Sequence, residues 1–212
     1  LRRGFLVASA EGNNSPDAVR DYERCLELDL GDIAGDDMFS TLIPLFGYYI
    51  VRGDLDRAQQ VAEVLRAGLA AGREHYRPDN DAALGMIRWY AGDFAVARDR
   101  LEASVDGVLT RQTSPDYAAT FFMPNDGPAS AHTNLAVARF MCGDVRGGDA
   151  QIDAARRRCE AIEFPRGPFS TAQAESHAAW MQIERGDMVA AGAAAAVVAD
   201  VADRHGFDLW AL

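Results

Sequence analysis

Ile50-Val51-Arg52-Gly53-Asp54-Leu55-Asp56-Arg57-Ala58 closes one apolar stretch of helical spacing and opens another. Glycine accepts the left-handed backbone that ends a helix, and aspartate caps the first turn of the next. The pair returns at Gly92-Asp93, Gly143-Asp144 and Gly186-Asp187. Each copy predicts a tight turn between two helices.

The columns around these turns make the repeat specific. Two residues after each Gly stand Leu55, Phe94, Val145 and Met188; five after, the small residues Ala58, Ala97, Gly148 and Ala191. Nine after stand Ala62, Leu101, Ile152 and Ala195; twelve after, Leu65, Ser104, Ala155 and Val198; sixteen after, Leu69, Val108, Cys159 and Ala202. Such spacing places one apolar stripe along a helix, with a small residue where a neighbouring helix approaches. Upstream, Ile50, Trp89, Phe140 and Ile183 lie three before each Gly. Leu45-Phe46, Leu84-Gly85, Leu135-Ala136 and Ala178-Ala179 lie eight and seven before.

A fainter copy aligns Asn13 with Gly53 and Ala18 with Ala58, with Ser15-Pro16 as cap and first turn. From Asn13 through the four turn glycines the repeats are 40, 39, 51 and 43 residues apart. The pattern of large-then-small pair, apolar residue, Gly-Asp and small residue resembles the tetratricopeptide hairpin, whose unit is about 34 residues. The expected fold is all-α: a right-handed α-solenoid of about five degenerate hairpins, forming a single domain over residues 1–212. No alternating strand pattern of useful length appears.

Composition narrows the function. Hydrophobic residues are 49% and charged residues 25%, enough apolar content for a packed core. All 21 basic residues are arginine and the net charge is −11, which disfavours a phosphate-binding surface and direct nucleic-acid contact. The longest apolar run, Met188 to Ala199, is short of the ~20 residues of a membrane span, so no membrane role is expected. Cys25, Cys142 and Cys159 have no paired spacing and read as buried free thiols in a cytoplasmic protein. The chain lacks an initiator Met and opens on Leu1-Arg2-Arg3-Gly4-Phe5-Leu6-Val7, which reads as a helix entered partway and hence as a fragment of a longer polypeptide.

Two irregular links interrupt the array. The longer runs from Thr110 to Pro128 and contains Phe121-Phe122-Met123 and Asn125-Asp126-Gly127-Pro128, a loop by its prolines and Asn-Asp-Gly. It is either a functional loop or a spacer. The second, Glu163-Phe164-Pro165-Arg166-Gly167-Pro168-Phe169-Ser170, predicts a capping box of Ser170 with Gln173.

Asn125-Asp126-Gly127-Pro128 leads into Ala131-His132-Thr133-Asn134-Leu135-Ala136; Phe164 to Ser170 precedes a helix; Ala202-Asp203-Arg204-His205-Gly206-Phe207 precedes Trp210. With the Gly-Asp hairpins, these landmarks resemble the tetratricopeptide-like region of large bacterial regulators. Those regulators carry a signalling ATPase, often a class III nucleotide cyclase domain, and sometimes a LuxR-type helix-turn-helix. The resemblance implies a non-enzymatic sensor or interaction arm controlling such ATPase, cyclase or transcription-effector domains in cis. No phosphate loop, cyclase metal pair or helix-turn-helix is present in this stretch, so no catalytic residue carries over.

The remaining polar residues read as structural. His75, His132, His177 and His205 lack zinc-hydrolase spacing, and Asp32, Asp36, Asp37, Asp79, Asn80 and Asp81 lack the order of a calcium loop and read as helix caps. Arg156-Arg157-Arg158 reads as a solvated face balancing nearby carboxylates. No catalytic, metal or cofactor-binding residue is expected, and no cofactor.

If first helices line a concave face, positions three, six and ten before each Gly gather there. Met86, Trp89, Thr133, Val137, Phe140, Ser176 and Trp180 then form a groove for a protein, a peptide or an apolar small-molecule effector, with Phe121, Phe122 and Met123 as lid or plug. The competing readings are that curvature buries this wall as core, and that the array is a structural spacer or self-association scaffold.

Overall fold

The computed structural model describes residues 2–11, 15–28, 36–70, 73–111 and 124–211. Among the described residues the structure is all helical and contains no strand. The helices are α1 (Arg2–Glu11), α2 (Pro16–Leu28), α3 (Asp36–Val51), α4 (Leu55–Ala70), α5 (Arg77–Tyr90) and α6 (Phe94–Arg111). They continue as α7 (Gly127–Met141), α8 (Val145–Glu160), α9 (Arg166–Arg185) and α10 (Met188–His205).

The four Gly-Asp pairs are the hairpin turns. Gly53, Gly92, Gly143 and Gly186 have φ of 71°, 81°, 83° and 79°. At every turn the glycine N–H donates to the carbonyl three residues back and the aspartate N–H to the carbonyl five back. Gly53 to Ile50 (3.1 Å) with Asp54 to Tyr49 (3.0 Å) is one instance; Gly143 to Phe140 (2.9 Å) with Asp144 to Arg139 (3.0 Å) is another. That pair of bonds closes the last turn of one helix. The aspartate side chain then starts the next: Asp54, Asp144 and Asp187 accept from the N–H of Arg57 (3.2 Å), Gly147 (2.9 Å) and Ala190 (2.9 Å). Ser15 does the same for Ala18 at 3.4 Å, while its aligned Asn13 lies outside the described residues.

Two compact units divide the chain, residues 1–8 with 13–123 and residues 9–12 with 124–212. In the first, α2 packs on α3, α5 packs on both helices of the α3/α4 hairpin, and α6 closes on α5. Phe39, Phe46, Ile50, Ala62 and Leu65 form its core, with Phe39 stacked on Tyr76 at 4.1 Å. In the second unit α7/α8 and α9/α10 are hairpins, and α9 packs on both α7 and α8.

The small column works as expected. Ala58, Ala97, Gly148 and Ala191 are buried. A Cβ on Gly148 would sit 3.0 Å from the Ala136 carbonyl oxygen, so α7 and α8 approach there at backbone distance. The columns nine, twelve and sixteen after the glycine are buried except at Ala195, which is exposed; in the column two after it, Leu55 and Phe94 are half-buried and Val145 and Met188 exposed.

Several expectations are corrected. The helix after Phe164 begins at Arg166, four residues before Ser170, so Ser170 is a buried interior residue and not a cap. Asn80 is also inside its helix, where its side-chain amide donates to the Ala62 carbonyl at 2.8 Å. Cys159 is buried, but Cys142, beside the Gly143 turn, is exposed. Nothing is described for the Cys25 side chain. Arg156 and Arg158 balance carboxylates as expected, Glu175 and Asp126, but both are half-buried, and of the three only Arg157 is exposed.

Candidate functional site

Met86 and Trp89 lie on α5 in the first unit; Thr133, Val137 and Phe140 on α7, with Ser176 and Trp180 on α9, lie in the second. Phe121, Phe122 and Met123 fall outside the described residues. Met86 is half-buried against the first unit's core. Trp89 is half-buried and meets Tyr90 and Phe94 edge-on at 5.2 and 6.1 Å.

In the second unit the three columns are a packing face between hairpins. Thr133 and Val137 are 1% and 2% exposed, and the Thr133 hydroxyl donates to Ala129 within its own helix at 2.9 Å. Phe140, one turn further, meets the Trp180 ring edge-on at 5.7 Å. On α9 the same columns are more open: Ser176 and Trp180 are half-buried and Ile183 is 53% exposed.

Sequence reasoning missed a polar cleft between α8 and α9. Its volume is about 220 Å³, and Asp149, Asp153, Arg156, Gln182 and Arg185 line it above Ile152, Ala178 and Met181. Two guanidiniums bridge the helices. Arg156 donates from Nε and Nη2 to the two Glu175 oxygens at 2.6 and 2.8 Å, and from Nη1 to Asp153 at 3.1 Å. Arg185 donates to both Asp149 oxygens at 2.7 and 3.2 Å while its Cζ lies 5.2 Å from the Phe140 ring centre. Bidentate geometry fixes both separation and register. The hydrogen bonds to Glu175 raise the Arg156 pKa despite burial, so this cation stays charged. The available signal was the spacing of Asp149, Asp153 and Arg156 along one face of α8.

A second network anchors the start of α7. Asp126 accepts from the Ala129 N–H (3.0 Å) as a cap and takes both Arg158 donors at 3.0 Å. Its own N–H donates to the Ser170 hydroxyl at 2.8 Å. Asn125 and Ser130 both donate to the Gln173 side-chain oxygen Oε1 at 2.8 Å. The Ser170–Gln173 spacing therefore serves the neighbouring hairpin and not its own helix.

Burial pushes the Cys159 thiol up to about 11, which removes its thiolate at neutral pH. Burial also lowers the His177 pKa, and its Nδ1 lies 2.8 Å from the Gln173 carbonyl within α9. His132 Nδ1 is 2.7 Å from Gln151 Oε1. Among the described residues no group of three His, Cys, Asp or Glu side chains is arranged to hold a metal ion. No described helix is long and apolar enough to cross a membrane.

No family model, curated protein or solved structure matches this chain.

Proposed function

We propose that this chain is a tetratricopeptide-like interaction module, a right-handed helical solenoid that binds a partner and performs no chemistry itself. The observation that carries the reading is the fourfold Gly-Asp turn with one bonding pattern and one set of packing columns. A module built by repetition presents recurring faces, and recurring faces suit recognition of extended partners. Half-buried Trp89 and Trp180 and exposed Ile183 supply apolar surface in that register. The regulatory role follows the resemblance to multidomain regulators: partner binding favours one arrangement of the hairpins, and an attached ATPase, cyclase or transcription-effector domain responds to the difference.

A structural spacer is the second reading, favoured by the near-complete burial of Thr133 and Val137. Photo-reactive side chains at Tyr90 and Ile183, both exposed, separate the two in source cells. A discrete adduct with one protein supports the interaction module. Adducts no more specific than those from exposed Arg157 support the spacer.

A further inference from the structure

We propose that the cleft between α8 and α9 is a small-molecule site, and that its ligand is a free α-amino acid with an aliphatic side chain. The inference goes beyond the interaction module: the cleft lies wholly within the second unit and uses neither Trp89 nor Ile183. Its volume of about 220 Å³ falls below the ~300–1,000 Å³ of sites for drug-sized molecules. At roughly 30 Å³ of liquid per molecule it holds about seven waters. A small metabolite fits that space and a helix does not.

The ligand's chemistry follows from the hydrogen-bonding groups that the fold leaves unspent. An arginine carries five N–H donors. Arg156 spends three, two on Glu175 and one on Asp153, which leaves one N–H on each Nη. Asp153 takes that bond at Oδ1; its Oδ2 accepts from no described residue, and the side chain is 58% exposed. On the opposite wall Gln182 receives Arg185 Nη1 at its Oε1, 3.5 Å away, and its Nε2 donates to no described residue. The cleft therefore offers an anionic acceptor on α8, cationic donors beside it and amide donors on α9.

The charged lining, Asp149 and Asp153 with Arg156 and Arg185, sums to zero. A ligand of net charge gains little from such a lining, whereas a zwitterion finds a partner for each end. The ammonium of an α-amino acid donates to Asp153 Oδ2, and its carboxylate accepts from Gln182 Nε2 and the spare Arg156 N–H groups. Ile152, Ala178 and Met181, all buried, form the apolar floor under its side chain. The walls are set before a ligand arrives: Asp149 holds Arg185 by two bonds, and the Phe140 ring centre lies 5.2 Å from the same guanidinium. A ligand bonded to both helices favours this one separation of the hairpins and so acts as an effector of the array.

The test titrates L-leucine onto the purified chain with isotope-labelled methionine methyl groups, read by NMR, with Met181→Leu assigning the floor signal. A saturable shift at Met181 is expected, with a Kd of about 1 mM or tighter. Isoamylamine lacks the carboxylate and isocaproate the ammonium, and each should bind at least about ten-fold more weakly. Asp153→Asn and Gln182→Leu should each weaken leucine binding by at least about ten-fold. Glu184→Gln, an exposed acid outside the cleft, should leave it unchanged. Gln182→Leu decides alone if Asp153→Asn loses helical circular dichroism. Absent saturation, a shift that spares Met181, or undiminished binding in the folded cleft variants overturns the proposal. Equal affinity for isoamylamine also overturns it, reducing the cleft to a plain cation site. A specific adduct from Ile183 alongside a failed titration would remove the ligand site and leave the interaction module in place.

Discussion

Arg156 grips Glu175 through two parallel hydrogen bonds, Nε to Oε1 at 2.6 Å and Nη2 to Oε2 at 2.8 Å, and so joins α8 to α9. The carboxylate is buried and the guanidinium partly open, 9% and 41% exposed at the side chain. Glu175→Gln removes the charge and keeps the shape. Because Arg156 retains Asp153 and some water, the expected loss is about 1–2 kcal/mol, a lower Tm with unchanged helix content. Identical melting of variant and wild type would mean that this bridge does not couple the hairpins.

The small column gives a second test. Ala97 and Ala191 are 0% and 6% exposed, so Ala97→Leu and Ala191→Leu overpack their hairpins. Each should lose about 1–3 kcal/mol by urea unfolding. Unchanged midpoints in both would place helix contact elsewhere.

Two glycines with nothing within 4 Å of an added Cβ separate backbone from packing effects. At Gly143, φ is +83°, and Gly143→Ala should destabilise by about 1–2 kcal/mol through strain alone. Gly192 sits inside α10 with no positive φ, and Gly192→Ala should stabilise by about 0.5–1 kcal/mol. Equal effects of one sign would contradict the assignment of Gly143 to the hairpin turn.

His177 links stability to pH. Burial holds its folded-state pKa below the ordinary 6.5, against the opposing hydrogen bond to Gln173. The unfolded chain therefore binds more protons at this site just below neutrality. Its contribution is complete above pH about 6.5 and is lost as pH falls below that value, toward the folded pKa. His177→Gln should flatten the urea midpoint between pH about 7.5 and about 5 relative to wild type. An unchanged slope would contradict the burial of this imidazole.

What was legible from sequence was local. Gly143-Asp144 and its three sister pairs carry their own backbone requirement, so the turns and the small column at Ala97 and Gly148 could be read from short-range pattern. The candidate site depends on which helix covers which, and adjacency between hairpins leaves no short-range mark. Val137 and Trp180 share one column, yet α9 buries the first and nothing in its own unit buries the second to the same extent. Ser170 and Gln173 show the same limit. Their spacing is that of a capping box, but their partners are Asp126, Asn125 and Ser130, more than 40 positions away. The Arg156–Glu175 and Arg185–Asp149 pairs likewise join residues whose proximity only the hairpin stack creates.

Backbone amide hydrogen exchange on the chain, free and bound to the protein that cross-links at Ile183, tests the interaction reading most directly. The account predicts slowed exchange concentrated in Ser176–Glu184, with the α7/α8 turn at Gly143 unaffected. Exchange identical with and without that protein, or protection spread evenly over every helix, would contradict it.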